Sequence, residues 1–195
     1  MTTSDMGVDS GQALDPDEFR RAMSEFASGV TVVTALHEGE PFGFVCQSFA
    51  SVSLEPPLVM FCAGRTSRSW PRIRAAGRFA VNVLGENQQP LCESFGSRRG
   101  RKFEDVPWAP SSWGTPSLAG VLMRVHADVE QVVPAGDHDV VVGRVLATER
   151  LSESRPMIFF RGGFSLPASL TTSAPAPGPR PDAPRGRRAS SGAPG

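Results

Sequence analysis

Apolar residues recur along this chain in two rhythms. In "DPDEFRRAMSEFASG" they fall at Phe19, Ala22, Met23 and Phe26, the spacing of one helix face. Asp15 stands at the N-cap, Pro16 at the first helical position and Gly29 at the stop, so the segment predicts an amphipathic helix. The runs that follow are "VTVVTAL", "PFGFVC", "LVMFCA", "FAVNVL", "VLMRVHADVEQVV", "DVVVGRVLATERL" and "MIFFRGGF". Each is rich in β-branched or aromatic residues and bounded by Gly, Pro or polar turns, which predicts strands. Two short helices interrupt them, "SRSWPRIRAAG" and "NQQPLCESFG", each with a proline placed for a first turn. No repeat and no alternation of strand with helix appears, so a doubly wound parallel sheet is disfavoured. The pattern predicts a mainly β, antiparallel barrel with a few peripheral α-helices.

The ends differ from this middle. Residues 167–195, "PASLTTSAPAPGPRPDAPRGRRASSGAPG", offer almost nothing to bury and are expected to be a disordered tail. Residues 1–13 have the same loose composition, which leaves one folded domain over 14–166. The tail arginines, Arg180, Arg185, Arg187 and Arg188, read either as solvated charge or as contacts to an acidic partner.

Composition removes several classes of function. The 195 residues carry 20 basic and 20 acidic side chains, so no general field draws the chain to nucleic acid or an anionic membrane. Cys46, Cys62 and Cys92 form no CxxC pair, and His37, His126 and His138 lack ligand spacing, so a structural zinc site is not expected. Sparse cysteines and a start without a secretion signal point to reduced thiols in the cytoplasm. No apolar run approaches the roughly 20 residues of a membrane-spanning helix. The phosphate signatures GxGxxG and GxxxxGK[ST] are also missing.

The chemically suggestive segment is "GFVCQSFASVSLEPPLVMFC", residues 43–62. Its turn presents backbone N–H groups with the Ser48 and Ser51 hydroxyls, donors suited to the carbonyls and ring nitrogens of a heterocycle. Pro56 and Pro57 stiffen the entry to the next strand. The alternative is that these serines are ordinary turn and capping residues.

Six segments in order, "FRRAMSEFASGVTVVTA", "GFVCQSFASVSLEPPLVMFC", "SRSWPRIRAAGRFAVNVL", "FGSRRGRKF", "GDHDVVVGRV" and "MIFFRGGF", resemble the flavin reductase family with the FMN-binding split β-barrel. The likeness covers roughly residues 17–164. It is nearest to the reductase components of two-component, flavin-dependent aromatic monooxygenases. "GFVCQSF" and "SRSW" point within these to the subgroup serving a phenolic steroid-degradation intermediate. The resemblance implies an NADH-dependent reductase of free FMN or FAD, usually homodimeric, supplying reduced flavin to a separate oxygenase. It implies flavin contacts at Val45, Cys46, Gln47, Ser48, Cys62, Ala63 and Gly64, with the phosphate side at Ser67, Arg68, Ser69, Phe95 and Gly96. It implies nicotinamide-side contacts at Phe42, Gly43, Phe44, His138, Met157, Ile158, Phe159 and Phe160. For Phe159 and Phe160 an apolar core is the equal alternative, and for Arg98, Arg99, Arg101 and Lys102 a solvated loop.

Hydride transfer needs alignment more than proton traffic, so the missing acid–base signature is consistent with this implication and no residue is assigned as a catalytic acid or base. Backbone donors of the 45–48 turn would favour the charge a reduced flavin gains near N1. Val45 stands where many members of the family have threonine, which leaves the choice between FMN and FAD open. Cys46 reads as packing, His37 and His126 as strand or surface residues, and Trp70, Trp108 and Trp113 as core or interface anchors. A non-catalytic flavin carrier on the same barrel is the alternative function.

Overall fold

The computed structural model describes residues 14–97 and 102–165; the terminal segments read as loose, with Arg98, Arg99 and Arg101, lie outside the described residues. Helix α1 (Pro16–Met23) starts as the sequence predicts, with the Asp15 carboxylate accepting from the Asp17 N–H at 3.0 Å. It stops well before Gly29. Ser28–Gly29 instead form β1, drawn into antiparallel pairing with β11 (Ile158–Phe160).

Strands β2 (Thr31–His37) and β3 (Glu40–Cys46) make a hairpin whose central residues, Glu38 and Gly39, both have positive φ (53° and 80°). That turn matches the right-handed twist of the strands it joins. β4 (Ala50–Leu54) and β5 (Pro57–Gly64) follow, then α2 (Trp70–Ala76) and β6 (Arg78–Val83). After α3 (Gln89–Gly96) come the short pair β7 (Trp108–Pro110) and β8 (Pro116–Leu118). A long hairpin closes the main sheet, β9 (Met123–Ala135) with β10 (His138–Arg150), and β11 pairs with β12 (Gly163–Ser165). The run read as one strand, "MIFFRGGF", is thus a hairpin, because Arg161 (φ 49°) and Gly162 (φ 78°) turn the chain. The sequence reading missed β4, β7 and β8, which are short or largely exposed and carry no continuous apolar run.

The seven-stranded antiparallel sheet has the order β3-β2-β6-β9-β10-β5-β4. Its two margins, β3 and β4, are joined by only three residues, 47–49. Four Cα steps span at most about 14 Å. A flat sheet of this order would hold its margins roughly 29 Å apart. The sheet is therefore curled, and its margins meet along a seam.

Inside the curl lies a cluster that includes Val33, Phe61, Phe79, Val81, Val125 and Val141. Phe61 and Phe79 meet edge to face at 5.1 Å, and Trp70 and Ile73 of α2 complete the cluster. A Cβ on Gly143 would stand 2.4 Å from Phe79 Cζ, so glycine is what lets that ring cross the barrel. A second cluster, with Val30, Val32, Leu84, Phe95, Leu118 and Met157, packs on the outer face beneath α3 and β8. Cover on both faces explains why "VTVVTAL" shows no polar alternation.

Candidate functional site at the barrel seam

At the seam, the Ser48 hydroxyl accepts a hydrogen bond from the Cys62 N–H at 2.8 Å and lies 3.3 Å from Cys46 Sγ. One side-chain oxygen thereby ties the turn after β3 to the middle of β5's last residues. Burial pushes the Cys46 thiol up, the Ser48 contact opposing it, so Cys46 is a poor nucleophile, in accord with its reading as packing. Its side chain shares the interior cluster with Phe61 and Ala63. Cys62, lying between those two on β5, faces the other way and remains a free thiol.

The next layer converges on the carbonyl of Gly43. It accepts from Ser69 Oγ at 2.8 Å and from the Lys102 ammonium at 3.1 Å, and Lys102 also donates to the Phe95 carbonyl at 2.9 Å. Burial, reinforced by neighbouring Arg68, holds the Lys102 ammonium below the usual lysine range. A Cβ on Gly43 would stand 2.7 Å from the Phe95 ring and 3.0 Å from the Val33 carbonyl, so glycine admits the ring against β3. These contacts bring together β3, the 67–69 loop and the end of α3, three segments the sequence reading had grouped. Within the loop, Ser67 Oγ accepts from the Trp70 N–H at 3.3 Å, capping α2.

Of the serines expected to face a ligand, Ser48, Ser67 and Ser69 are therefore engaged within the fold. Ser48 staples the seam, Ser67 caps a helix, and Ser69 is buried under Gly43. Ser51 lies exposed on β4 opposite Val59. What the seam turns outward is the exposed Gln47, the Arg68 side chain, Cys62, Gly64 and Gly96. Val45 differs again, packing on the second cluster, while Phe42 and Phe44 pack on the first.

His138 opens β10 directly opposite Gly64 in register. Its Nε2 lies 3.6 Å from where a Gly64 Cβ would sit, and its Nδ1 is 2.7 Å from Asp137 Oδ1. The hydrogen bond to His138 holds the exposed Asp137 carboxyl below its usual range. The neighbouring Arg65 N–H donates to the Asp137 carbonyl at 3.0 Å, which fixes this corner beside the end of β5.

The late strand lies elsewhere. Met157 is 2% exposed in the second cluster, its N–H donating to Leu84 and its carbonyl accepting from Val30. Ile158 and Phe159 pair with β1, Phe160 pairs with Gly163, and the Phe159 ring meets Phe164 at 5.6 Å. No hydrogen bond or ring contact among the described residues joins 157–160 to His138. The sequence also left Lys102 among loop charges, whereas it is a half-buried link between two carbonyls. A usable signal was present, since it is the single lysine in a chain that otherwise uses arginine.

Among the described residues no three His, Cys, Asp or Glu side chains gather as a metal site, and no helix is long and apolar enough to cross a membrane. His126, read as a strand or surface residue, is a fully buried strand residue. Trp70 is core, Trp108 joins an aromatic row through Phe103, and Trp113 stacks on His126.

Residues 23–166 match the family model described as flavin reductase like domain. The chain is 46% identical over 159 residues to the reductase subunit HsaB of a flavin-dependent monooxygenase from Rhodococcus jostii, covering 82% of each. The crystal structure of a nitrilotriacetate monooxygenase component B homologue from Mycobacterium thermoresistibile superposes with a TM-score of 0.75 at 42% identity, covering 85% of this chain and 98% of that one. The Streptomyces globisporus NADH:FAD oxidoreductase SgcE6, solved with NAD and FAD fragments, gives a TM-score of 0.76 at 32% identity, covering 83% and 99%.

Proposed function

The chain belongs to the flavin reductase like domain family, and from that premise we propose that it passes a hydride from NADH to FMN or FAD and supplies the reduced flavin to a separate monooxygenase. The observation that carries this reading is the seam itself. Its polar side chains hold backbone to backbone, leaving Gln47, main-chain groups and Gly96 facing outward, with Gly64 beside His138. In this reading the flavin ring lies there. Gly96 has nothing within 4 Å of the position a Cβ would take, and Gly64 meets only the His138 ring, so both leave room. When bound, the flavin supplies the hydride-accepting chemistry.

In this reading Val45, Cys46, Gln47 and Ser48 with Cys62, Ala63 and Gly64 form the ring side of the site. The outward partners are Gln47 and the main chain, with Val45, Cys46 and Ala63 holding the wall from behind. Ser67, Arg68 and Ser69 with Phe95 and Gly96 form the phosphate side, where the guanidinium meets an anion. Lys102 keeps those two segments together through Gly43 and Phe95. Phe42, Gly43, Phe44 and His138 border the nicotinamide. Met157, Ile158, Phe159 and Phe160 are assigned to this side by resemblance alone. No side chain is assigned to move a proton, because alignment of donor and acceptor is the main requirement of hydride transfer.

The likeness to HsaB supports an oxygenase partner acting on a phenolic steroid-degradation intermediate. A homodimer is supported by α1, none of whose residues is buried: Phe19, Met23 and the following Phe26 are 54%, 51% and 73% exposed. That stripe suits a second copy, and Phe19→Asp with Phe26→Asp should lower the mass measured by sedimentation. The folded domain is assigned to residues 14–166. Three free thiols support a reducing compartment such as the cytoplasm. The deciding experiment is loss of NADH absorbance with FMN, FAD and riboflavin in parallel. Consumption with flavin and none without it supports the reading. Tight FMN binding with no NADH consumption would replace it with the non-catalytic carrier.

A further inference from the structure

Helix α2 is fastened at its start by side chains that leave the helix. Ser69 stands at the N-cap, yet its hydroxyl makes no cap and donates instead to the Gly43 carbonyl of β3 at 2.8 Å. The next residue, Trp70, is 3% exposed, and its indole N–H donates to Asp139 Oδ2 of β10 at 2.8 Å. Two consecutive residues thus bolt the helix to two strands that the order of the sheet keeps apart. A helix of seven residues is too short to hold its own place in water, so these outside contacts set where it begins.

An apolar residue would suit the position of Asp139. The side chain is 6% exposed and pairs in register with Ala63 of the interior cluster, on the face of β10 opposite His138. Its other oxygen sees Arg65 Nε at 3.8 Å, too far for a hydrogen bond, and that arginine is itself 57% exposed. Burying a carboxylate with so little compensation lowers stability, and its contribution is therefore positional. Between Gly64 and Trp70 runs the loop that carries Arg68. Its near end is held by the Arg65 N–H on the Asp137 carbonyl and the Ser67 N–H on the Gly64 carbonyl, both at 3.0 Å. Its far end is held by Ser69 and Trp70. We propose that Asp139 is a positioning residue which, through Trp70, fixes the far end of this loop and so places Arg68 for the phosphate of a flavin. The inference rests on the reductase reading, in which Arg68 meets that phosphate. Its consequence is selective: a slackened loop weakens a flavin that bears a phosphate and spares one that does not.

The test compares FMN with riboflavin, which has the same ring and no phosphate, by quenching of flavin fluorescence on the full chain. The native chain should bind FMN the more tightly. Asp139→Val removes the acceptor and Trp70→Phe removes the N–H while keeping a ring. Each should weaken FMN roughly fivefold, part of the worth of a charge-assisted hydrogen bond, and leave riboflavin within about twofold. The double variant should be no worse than either single one, because both remove the same bond. Asp139→Asn, which keeps an acceptor oxygen, should retain the native preference. Thermal unfolding identifies which single variants are folded, and those decide. An unchanged ratio of FMN to riboflavin affinity in them, whether both flavins bind as before or both weaken equally, would overturn the proposal. So would collapse of both variants, loss of the preference in Asp139→Asn, or native binding of riboflavin as tight as that of FMN. If the native chain binds flavin and consumes no NADH, the reductase reading falls while the ratio still judges Asp139. If it binds neither flavin, both fall.

Discussion

Two polar regions of this barrel solve the same problem in opposite ways. At the seam, single side chains reach for backbone: Ser48 for Cys62, Ser69 and Lys102 for Gly43. Across the sheet, under β7 and β8, side chains mostly satisfy one another. Asn82 donates to the Val32 carbonyl and Thr34 Oγ1, and its own carbonyl accepts from Arg124 and the Leu118 N–H. Arg124 reaches on to Glu149 and to the Leu118 carbonyl. His126, 0% exposed, lies between Thr115 and Glu149, with Nδ1 2.8 Å from Thr115 Oγ1 and Nε2 3.1 Å from Glu149 Oε1. The network is closed and pins the β7–β8 arm to the sheet. The seam is open, because groups that fix the main chain leave the outward face available to a ligand. A polar cluster is thus no sign of a site in itself; what matters is whether its outer face is already covered.

The contrast is broken most severely in the network. Arg124→Leu leaves Glu149, the Asn82 carbonyl and the Leu118 carbonyl short of a donor, and should cost about 3 kcal/mol of stability. Chemical denaturation would show it, and KM for flavin should stay within about twofold in whatever remains folded.

Lys102→Met tests the seam. It takes the ammonium from the Phe95 carbonyl and leaves Ser69 as the side-chain donor to the Gly43 carbonyl, so it should cost about 1–2 kcal/mol and raise KM for flavin more than KM for NADH. Equal change in both would mean that Lys102 does not organise the phosphate side.

Ser48→Ala orphans one N–H, that of Cys62, and should lower stability by about 1 kcal/mol, read as a shift in the denaturation midpoint. An equal midpoint with weaker flavin binding would make Ser48 a ligand contact and not a staple.

His126 sharpens the comparison through pH. Burial holds its imidazole below the ordinary histidine range, with Arg124 adding to this and Glu149 opposing it. The unfolded chain therefore takes up a proton that the folded chain resists, and stability should fall as pH drops through about 6.5. Thermal unfolding followed from roughly pH 7.5 to 5 should show this slope in the native chain and a shallower one in His126→Gln. The smallest effect is expected from His138→Ala. His138 is half-exposed and its one hydrogen bond is to exposed Asp137, so stability should stay within about 0.5 kcal/mol while KM for NADH rises more than KM for flavin.

Much of this was legible along the chain. α2 and α3 follow their prolines and apolar spacing, and Gly77 ends α2 in the left-handed conformation expected of a terminating glycine (φ 69°). The site segments were legible as segments. Their division of labour was not, because a serine that staples backbone and a serine that faces a ligand look alike in sequence. His126 shows the same limit: a lone histidine on a strand gives no hint that Trp113, Thr115 and Glu149 will enclose it.

By itself the sequence determined which segments extend and which coil, since residue spacing and turn chemistry act over a few positions. The tertiary structure decided which edges meet, which serines are consumed by the backbone, and that the sole lysine bridges two carbonyls. Those outcomes depend on residues such as Gly43, Phe95 and Lys102, far apart in the chain and brought together only by the curl of the sheet.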